Sequence, residues 1–126
     1  MDYHDHKHIK SEKGKKLLKK TRDICMKFPE VEEQVDKFGH TSFRVKDKPF
    51  VMLGENLEEP SISIKMLKTT QEMLLQQDGY TKTPYIGQHG WTSFDTNSLN
   101  WNEIEDYILE GYLRTAPKSL IKQVQQ

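Results

Sequence analysis

A chain of 126 residues with 34% hydrophobic and 30% charged side chains is expected to form one domain, a modest core under a heavily charged surface. Nineteen basic side chains balance nineteen acidic ones, so no net field draws the molecule toward nucleic acid or an anionic membrane. The longest apolar run, Phe50 to Leu53, is far short of the ~20 residues of a membrane span, and a lone cysteine, Cys25, excludes an intramolecular disulfide and suits a reducing cytoplasm.

Residues 1 to 10, MDYHDHKHIK, show no apolar period and no h-region, so they read as a mobile tail and not as a secretory signal. His4, His6 and His8 would share a face of an extended chain. A native zinc site needs about four rigidly held ligands, so only adventitious metal binding is expected there. The domain itself is expected over residues 11 to 126.

From Ser11 to Phe28 the residues Leu17, Leu18, Thr21, Ile24, Cys25 and Phe28 recur at helical spacing, which predicts an amphipathic helix with lysines on its outer face. Cys25 falls on the inner side, so a buried, unreactive thiol is expected. Pro29 stops the helix. Residues 1 to 28 carry nine basic and four acidic side chains, whereas residues 29 to 59 carry four and eight; a solvated helix face accounts for the first excess.

The middle of the chain has a period of two. A short strand is expected over Gln34 to Phe38. Thr41, Phe43 and Val45 alternate with Ser42, Arg44 and Lys46, which predicts a strand with one polar face. Asp47 to Pro49 reads as a turn, Phe50 to Leu53 as a more buried strand and Gly54 to Pro60 as a polar loop. Ser61 to Met66 alternates again. A helix is expected from Lys68 to Gln77, a loop from Tyr80 to Gly90 and a strand from Trp91 to Asp95. Asn100 and Glu103 have the spacing of a capping box, opening a helix with Trp101, Ile104, Ile108 and Tyr112 on one face. Pro117 breaks it before a short last helix, Lys118 to about Val124. Short strands with short connections predict an α+β fold, an antiparallel sheet of four to six strands with helices on one face.

The phrases FGHTSFRV (38–45), KPF (48–50), SISIK (61–65), PYIGQHGW (84–91) and APKSL (116–120) are similar, in order and spacing, to those of the MmcQ/YjbR family of small bacterial proteins. The resemblance runs from about Lys15 to Leu120. It implies a small α+β fold with an antiparallel sheet, likened to a double-wing arrangement, and on that likeness a DNA-binding module. Carried over by position, the family pattern selects His40, Ser42, Phe43, Arg44, Lys65, Tyr85, Gly87, His89, Gly90, Trp91, Pro117 and Lys118. One departure stands in the last long helix, where the family usually shows SYRLVAPK and this chain has GYLRTAPK. Gly111 replaces the serine, and Arg114 is displaced by one place, about 100° around the helix.

No G-x-S-x-G elbow, P-loop, H-E-x-x-H or glycine-rich dinucleotide turn is present. An imidazole can act as a general acid or base, but neither His40 nor His89 has an orienting partner legible at fixed spacing, so no catalytic residue and no cofactor are expected. The candidate binding residues are His40, Arg44, Lys46, Lys65, Tyr85, His89, Trp91 and Lys118. Arg44 and Lys46 would share a strand face. DNA binding through so few cations would be weak and salt-dependent. The alternative is a pocket around PYIGQHGW for a small anionic ligand or a peptide, with Lys65 and Arg44 converging on it. For His89 two readings stand, the rim of a pocket or a structural turn. The protein is expected to be a cytoplasmic monomer with no membrane partner.

Overall fold

The computed structural model describes residues 8–125; His4, His6 and most of the expected tail lie outside the described residues. Four helices and six strands follow in the order α1 (Glu12–Cys25), β1 (Val31–Val35), β2 (Thr41–Val45), β3 (Lys48–Asn56), β4 (Glu59–Lys65), α2 (Lys68–Leu75), β5 (Tyr80–Lys82), β6 (Trp91–Phe94), α3 (Trp101–Thr115) and α4 (Lys118–Val124). The sheet is antiparallel throughout, with strand order β1-β2-β3-β4-β6-β5. The fold is the expected α+β. No described helix is long and apolar enough to cross a membrane.

Cross-strand register separates the two faces of the sheet, because directly opposed residues point the same way. Phe43 opposes Val51, Val51 opposes Ile64, and Leu53 opposes Ile62, which in turn opposes Phe94. These side chains form a single buried core with Leu17 and Cys25 of α1, Leu74 of α2, Ile104, Ile108 and Tyr112 of α3, and Leu120 of α4. On the opposite face Ser42, Met52, Ser63 and Ser93 stand in register, and among the described residues no helix covers that side.

Four stretches differ from expectation, and one of them is Tyr80–Lys82, expected as loop and found as the edge strand β5 paired with β6. The first strand lies three residues earlier, at Val31–Val35. Asp36 to Gly39 is a turn, in which the Asp36 carboxylate accepts from the N–H groups of Phe38 (2.8 Å) and His40 (3.0 Å). The turn between β2 and β3 is Lys46-Asp47, with φ of 50° and 64°, and Pro49 lies within β3, opposite Arg44. The stretch expected as a polar loop is instead the end of a long hairpin. Asn56 opposes Glu59, and Leu57-Glu58 make a two-residue turn at φ of 52° and 66°, the left-handed pair that such hairpins use.

That hairpin carries a buried charge. Glu55 is only 5% exposed and faces the start of α1. Its carboxylate accepts from the N–H of Lys10 (3.0 Å), the N–H of Ser11 (3.1 Å) and the Ser11 hydroxyl. The same hydroxyl accepts from the N–H of Gly14 at 2.9 Å, as the helix N-cap. Ile9 packs against the core, so the chain is already engaged before residue 11. Burial pushes the Glu55 carboxyl up, but the hydrogen bonds from Ser11 and Lys10 outweigh it and hold the group below its ordinary value.

The helix layer rests on a close approach at Gly111. A Cβ there would lie 2.8 Å from the carbonyl oxygen of Lys65 and 3.4 Å from that of Phe50. One turn of α3 thus meets the backbone of β3 and β4 with no side chain between. The next residue, Tyr112, is fully buried. It stacks on Phe28 with centroids 4.8 Å apart, meets Phe50 edge-on at 5.7 Å, and donates its hydroxyl to the carbonyl of Pro29 at 2.9 Å. Asn100 caps α3 by accepting from the N–H groups of Asn102 and Glu103. Glu110 of the same helix accepts from Leu67 N–H and the Thr70 hydroxyl at the start of α2.

Two outcomes follow for stability. Gly111→Ala should destabilise by about 1–3 kcal/mol, an overpacking cost, although alanine is the better helix former by about 1 kcal/mol; urea denaturation measures the difference. Glu55→Gln should cost about 1–3 kcal/mol through weakened buried hydrogen bonds. Because the folded pKa of Glu55 is depressed, its contribution is complete above the ordinary value of 4.5 and is lost as pH falls through the lower folded value. The stability of Glu55→Gln should therefore fall less steeply than that of the parent below that pH.

Candidate functional site

On the face without helices lies a concavity of about 410 Å³. Its floor is the middle of the sheet, where Met52 of β3, Ser61 and Ser63 of β4, and Ser93 of β6 come together. One wall is the segment Thr83-Pro84-Tyr85-Ile86, which leaves β5 and folds over the sheet edge; His40, at the start of β2, closes the other side over Gly54.

The floor hydroxyls engage one another. Ser63 Oγ and Ser93 Oγ are 3.0 Å apart, Ser93 Oγ and Thr83 Oγ1 are 2.9 Å apart, and Ser61 donates to the Gly54 carbonyl at 3.4 Å. Among the described residues, no lysine, arginine, aspartate or glutamate lines the concavity. His40 is half-buried, and its Nδ1 lies 3.4 Å from Asp36 Oδ2. Burial pushes the Asp36 carboxyl up, but the backbone N–H groups of His40 and Phe38 outweigh it and hold the pKa below its usual value.

Tyr85 stands at the mouth, 97% exposed, with φ of 69°. A left-handed conformation costs an L-residue about 1–2 kcal/mol. The loop that holds it is rigidly tied. Ile86 accepts from His89 N–H through its carbonyl, and Gly87 donates to the Thr83 carbonyl at 2.8 Å. Buried Gln71 of α2 donates to the carbonyls of Gly87 (2.9 Å) and Trp91 (3.0 Å). The turn Gly87–His89 closes with Gly90 at φ of 94°, where a Cβ would lie 2.2 Å from the Met66 carbonyl oxygen. Only glycine fits there.

Of the eight residues singled out from the sequence, two, His40 and Tyr85, line this concavity. His89 is exposed on the outer turn of the loop, beside Gln88 and outside the lining. Trp91 is buried to 5%, opposite Lys65 and on the same face as Ser93, but it does not reach the concavity. The expected convergence of Lys65 and Arg44 on the pocket does not occur. Arg44 turns to its own hairpin, donating Nε–H to Ser42 Oγ at 2.9 Å and Nη1–H to the Asp47 carbonyl at 3.2 Å. Lys46 does not extend the polar strand face either, since it opens the left-handed turn and pairs with Glu30 at 2.9 Å. Lys118 is exposed at the start of α4. Cys25 is fully buried, and burial pushes its thiol pKa far up, as expected of an unreactive group.

Sequence reasoning missed the three serines and Thr83. They are small polar residues on the solvent side of alternating strands, a pattern that does not distinguish a pocket floor from an ordinary wet face. Asp36 was missed as the partner of His40, because their approach depends on a turn that was read as strand.

A second surface gathers cations. Lys13, Lys16 and Lys20 of α1 border a shallow cleft of about 180 Å³ with Leu99 and Trp101. Lys20 Nζ lies 5.2 Å from the centre of the Trp101 ring, in cation–π range.

A family model described as YjbR matches residues 26–114. The crystal structure of Deinococcus radiodurans protein DR2400, with domain DUF419, is similar at a TM-score of 0.70 and 15% identity, covering 86% of this chain and 87% of that one. At that identity the likeness shows the fold alone. No curated protein matches the chain.

The two residues that flank the loop's glycines should separate cleanly in denaturant melts. Trp91→Ala should cost ~3–5 kcal/mol, as for a buried large aromatic. His89→Ala should stay within about ±0.5 kcal/mol, as for an exposed side chain.

Proposed function

The chain belongs to the YjbR family, and from that premise we propose that it is a non-enzymatic binding protein whose ligand site is the concavity on the uncovered sheet face. The observation that carries this reading is the conjunction of that concavity with a strained, almost fully exposed tyrosine at its mouth. Backbone strain persists where the surrounding structure holds it, and such residues cluster at ligand sites. The size suits a small molecule or one large side chain of a peptide, since ligand pockets run from about 300 to 1,000 Å³. Apolar walls (Met52, Pro84 and Ile86) supply burial, and the hydroxyl floor supplies orientation.

Binding of DNA is the second reading, and the lysine-lined cleft between α1 and α3 favours it. Trp101 there offers a face on which a base could stack for ~1–3 kcal/mol. Arg44 and Lys46 give this reading less support, because they form no stripe and both side chains already have intramolecular partners. Three lysines correspond to weak binding with a salt slope of about −2 to −3, which Lys16→Glu with Lys20→Glu should abolish in fluorescence anisotropy at low salt.

The test of the first reading is titration of isotope-labelled protein with small aromatic compounds, followed by amide chemical shifts. Shifts should concentrate at Met52, Ser63, Ile86 and Ser93. Ser61→Phe, at an exposed position of the floor, should remove them while leaving the melt within about ±0.5 kcal/mol. Shifts confined to the Trp101 cleft, or none at millimolar compound, would reject the concavity as the site.

A further inference from the structure

Resting on the reading of the concavity as a ligand site, we infer that its occupant is an uncharged aromatic molecule that presents an O–H or N–H donor to Nε2 of His40. With no lysine, arginine or carboxylate among the described residues of the walls, a charged ligand would surrender its hydration without a partner, which is costly even in a partly open site. The notion of an anionic ligand drawn from the sequence rested on Lys65 and Arg44, and neither lines the concavity.

The polar groups that are present differ in what they leave open. Ser63, Ser93 and Thr83 form a chain of hydroxyls bonded to one another, and Ser61 is turned to the Gly54 carbonyl. His40 is different. Asp36, kept as the carboxylate by two backbone N–H groups, faces Nδ1 at 3.4 Å. An ionised carboxylate is an acceptor only, so in the neutral imidazole the proton belongs on Nδ1 and the lone pair on Nε2. Nε2 has no hydrogen-bond partner among the described residues.

Position agrees with chemistry. The imidazole lies over Gly54, where a Cβ would come within 2.9 Å of Cδ2 and 3.6 Å of Nε2. Glycine at 54 thus leaves room for the ring at the edge of the concavity. A flat ligand lying on Met52, between the imidazole and the Pro84-Tyr85-Ile86 wall, meets aromatic and apolar surfaces, the mutually bonded hydroxyls of the floor and, at its edge, the ring nitrogen as a neutral acceptor. That is the complement of a phenol, an indole or a neutral nitrogen heterocycle.

The experiment compares 4-methylphenol, 4-methylanisole and 4-methylbenzoate on the whole protein at neutral pH, by amide chemical-shift titration. The phenol and the anisole share a ring, and only the phenol can donate. The phenol should bind about three- to tenfold more tightly than the anisole, the worth of one net hydrogen bond, and the benzoate should bind more weakly than either. His40→Phe should bring phenol and anisole to within about twofold of each other, whereas His40→Gln, which restores an acceptor, should recover part of the preference. Equal affinity of phenol and anisole in the unaltered protein overturns the inference but leaves the concavity as a site, and this comparison needs no variant to fold. Tightest binding by the benzoate overturns it likewise. If none of the three perturbs Met52, Ser63 or Ser93, the site itself is rejected, and the inference with it.

Discussion

Everything on the covered side of the sheet depends on how closely α3 can approach it. At Gly111 the helix backbone comes against the carbonyls of Lys65 and Phe50 with no room for a methyl group. That contact sets the depth at which Ile104, Ile108 and Tyr112 enter the core. Tyr112 then ties the end of α1 to the sheet through Phe28, Phe50 and the Pro29 carbonyl. A glycine inside a helix weakens it locally; here the loss is offset by dispersion and burial along the whole length of α3.

The helices bury one face and leave the other to water. A six-stranded sheet with one wet side needs polar side chains there, and Ser42, Ser61, Ser63 and Ser93 meet that need. They are also small, so the loop after β5 can fold over them and still leave space beneath. The concavity is therefore a consequence of the layer architecture, shaped by a loop that Gln71 and Gly90 hold rigid. Tyr85 keeps a strained backbone at its mouth.

Charge is distributed with the same economy. Glu55 is buried where the N–H groups of Lys10 and Ser11, just ahead of α1, point at it, and the positive end of the helix dipole favours a carboxylate there. Arg44 and Lys46 are held in local pairs, so the polar strand they were expected to form presents no cationic stripe. The lysines of α1 remain on its outer side, where Lys20 covers part of Trp101.

The sequence by itself determined the fold class and most element boundaries, because these rest on short-range information. Pro29 as helix stop, Asn100 as cap and the alternation of Thr41 to Val45 and Ser61 to Lys65 are readable within a few residues. The glycine-bracketed loop was legible as a structured feature, and His40 and Tyr85 were legible as candidates. Tertiary structure decided the rest. The stretch Gly54 to Pro60 looks like loop because Glu55, Glu58 and Glu59 are charged, and only the N–H groups of Lys10 and Ser11, some 44 to 45 residues away, make a buried Glu55 tolerable in a strand. Likewise His89 and His40 are indistinguishable as residues. Which of them faces a cavity depends on a turn at Asp36 and a glycine at position 54, two constraints that meet the imidazole only when the chain is folded.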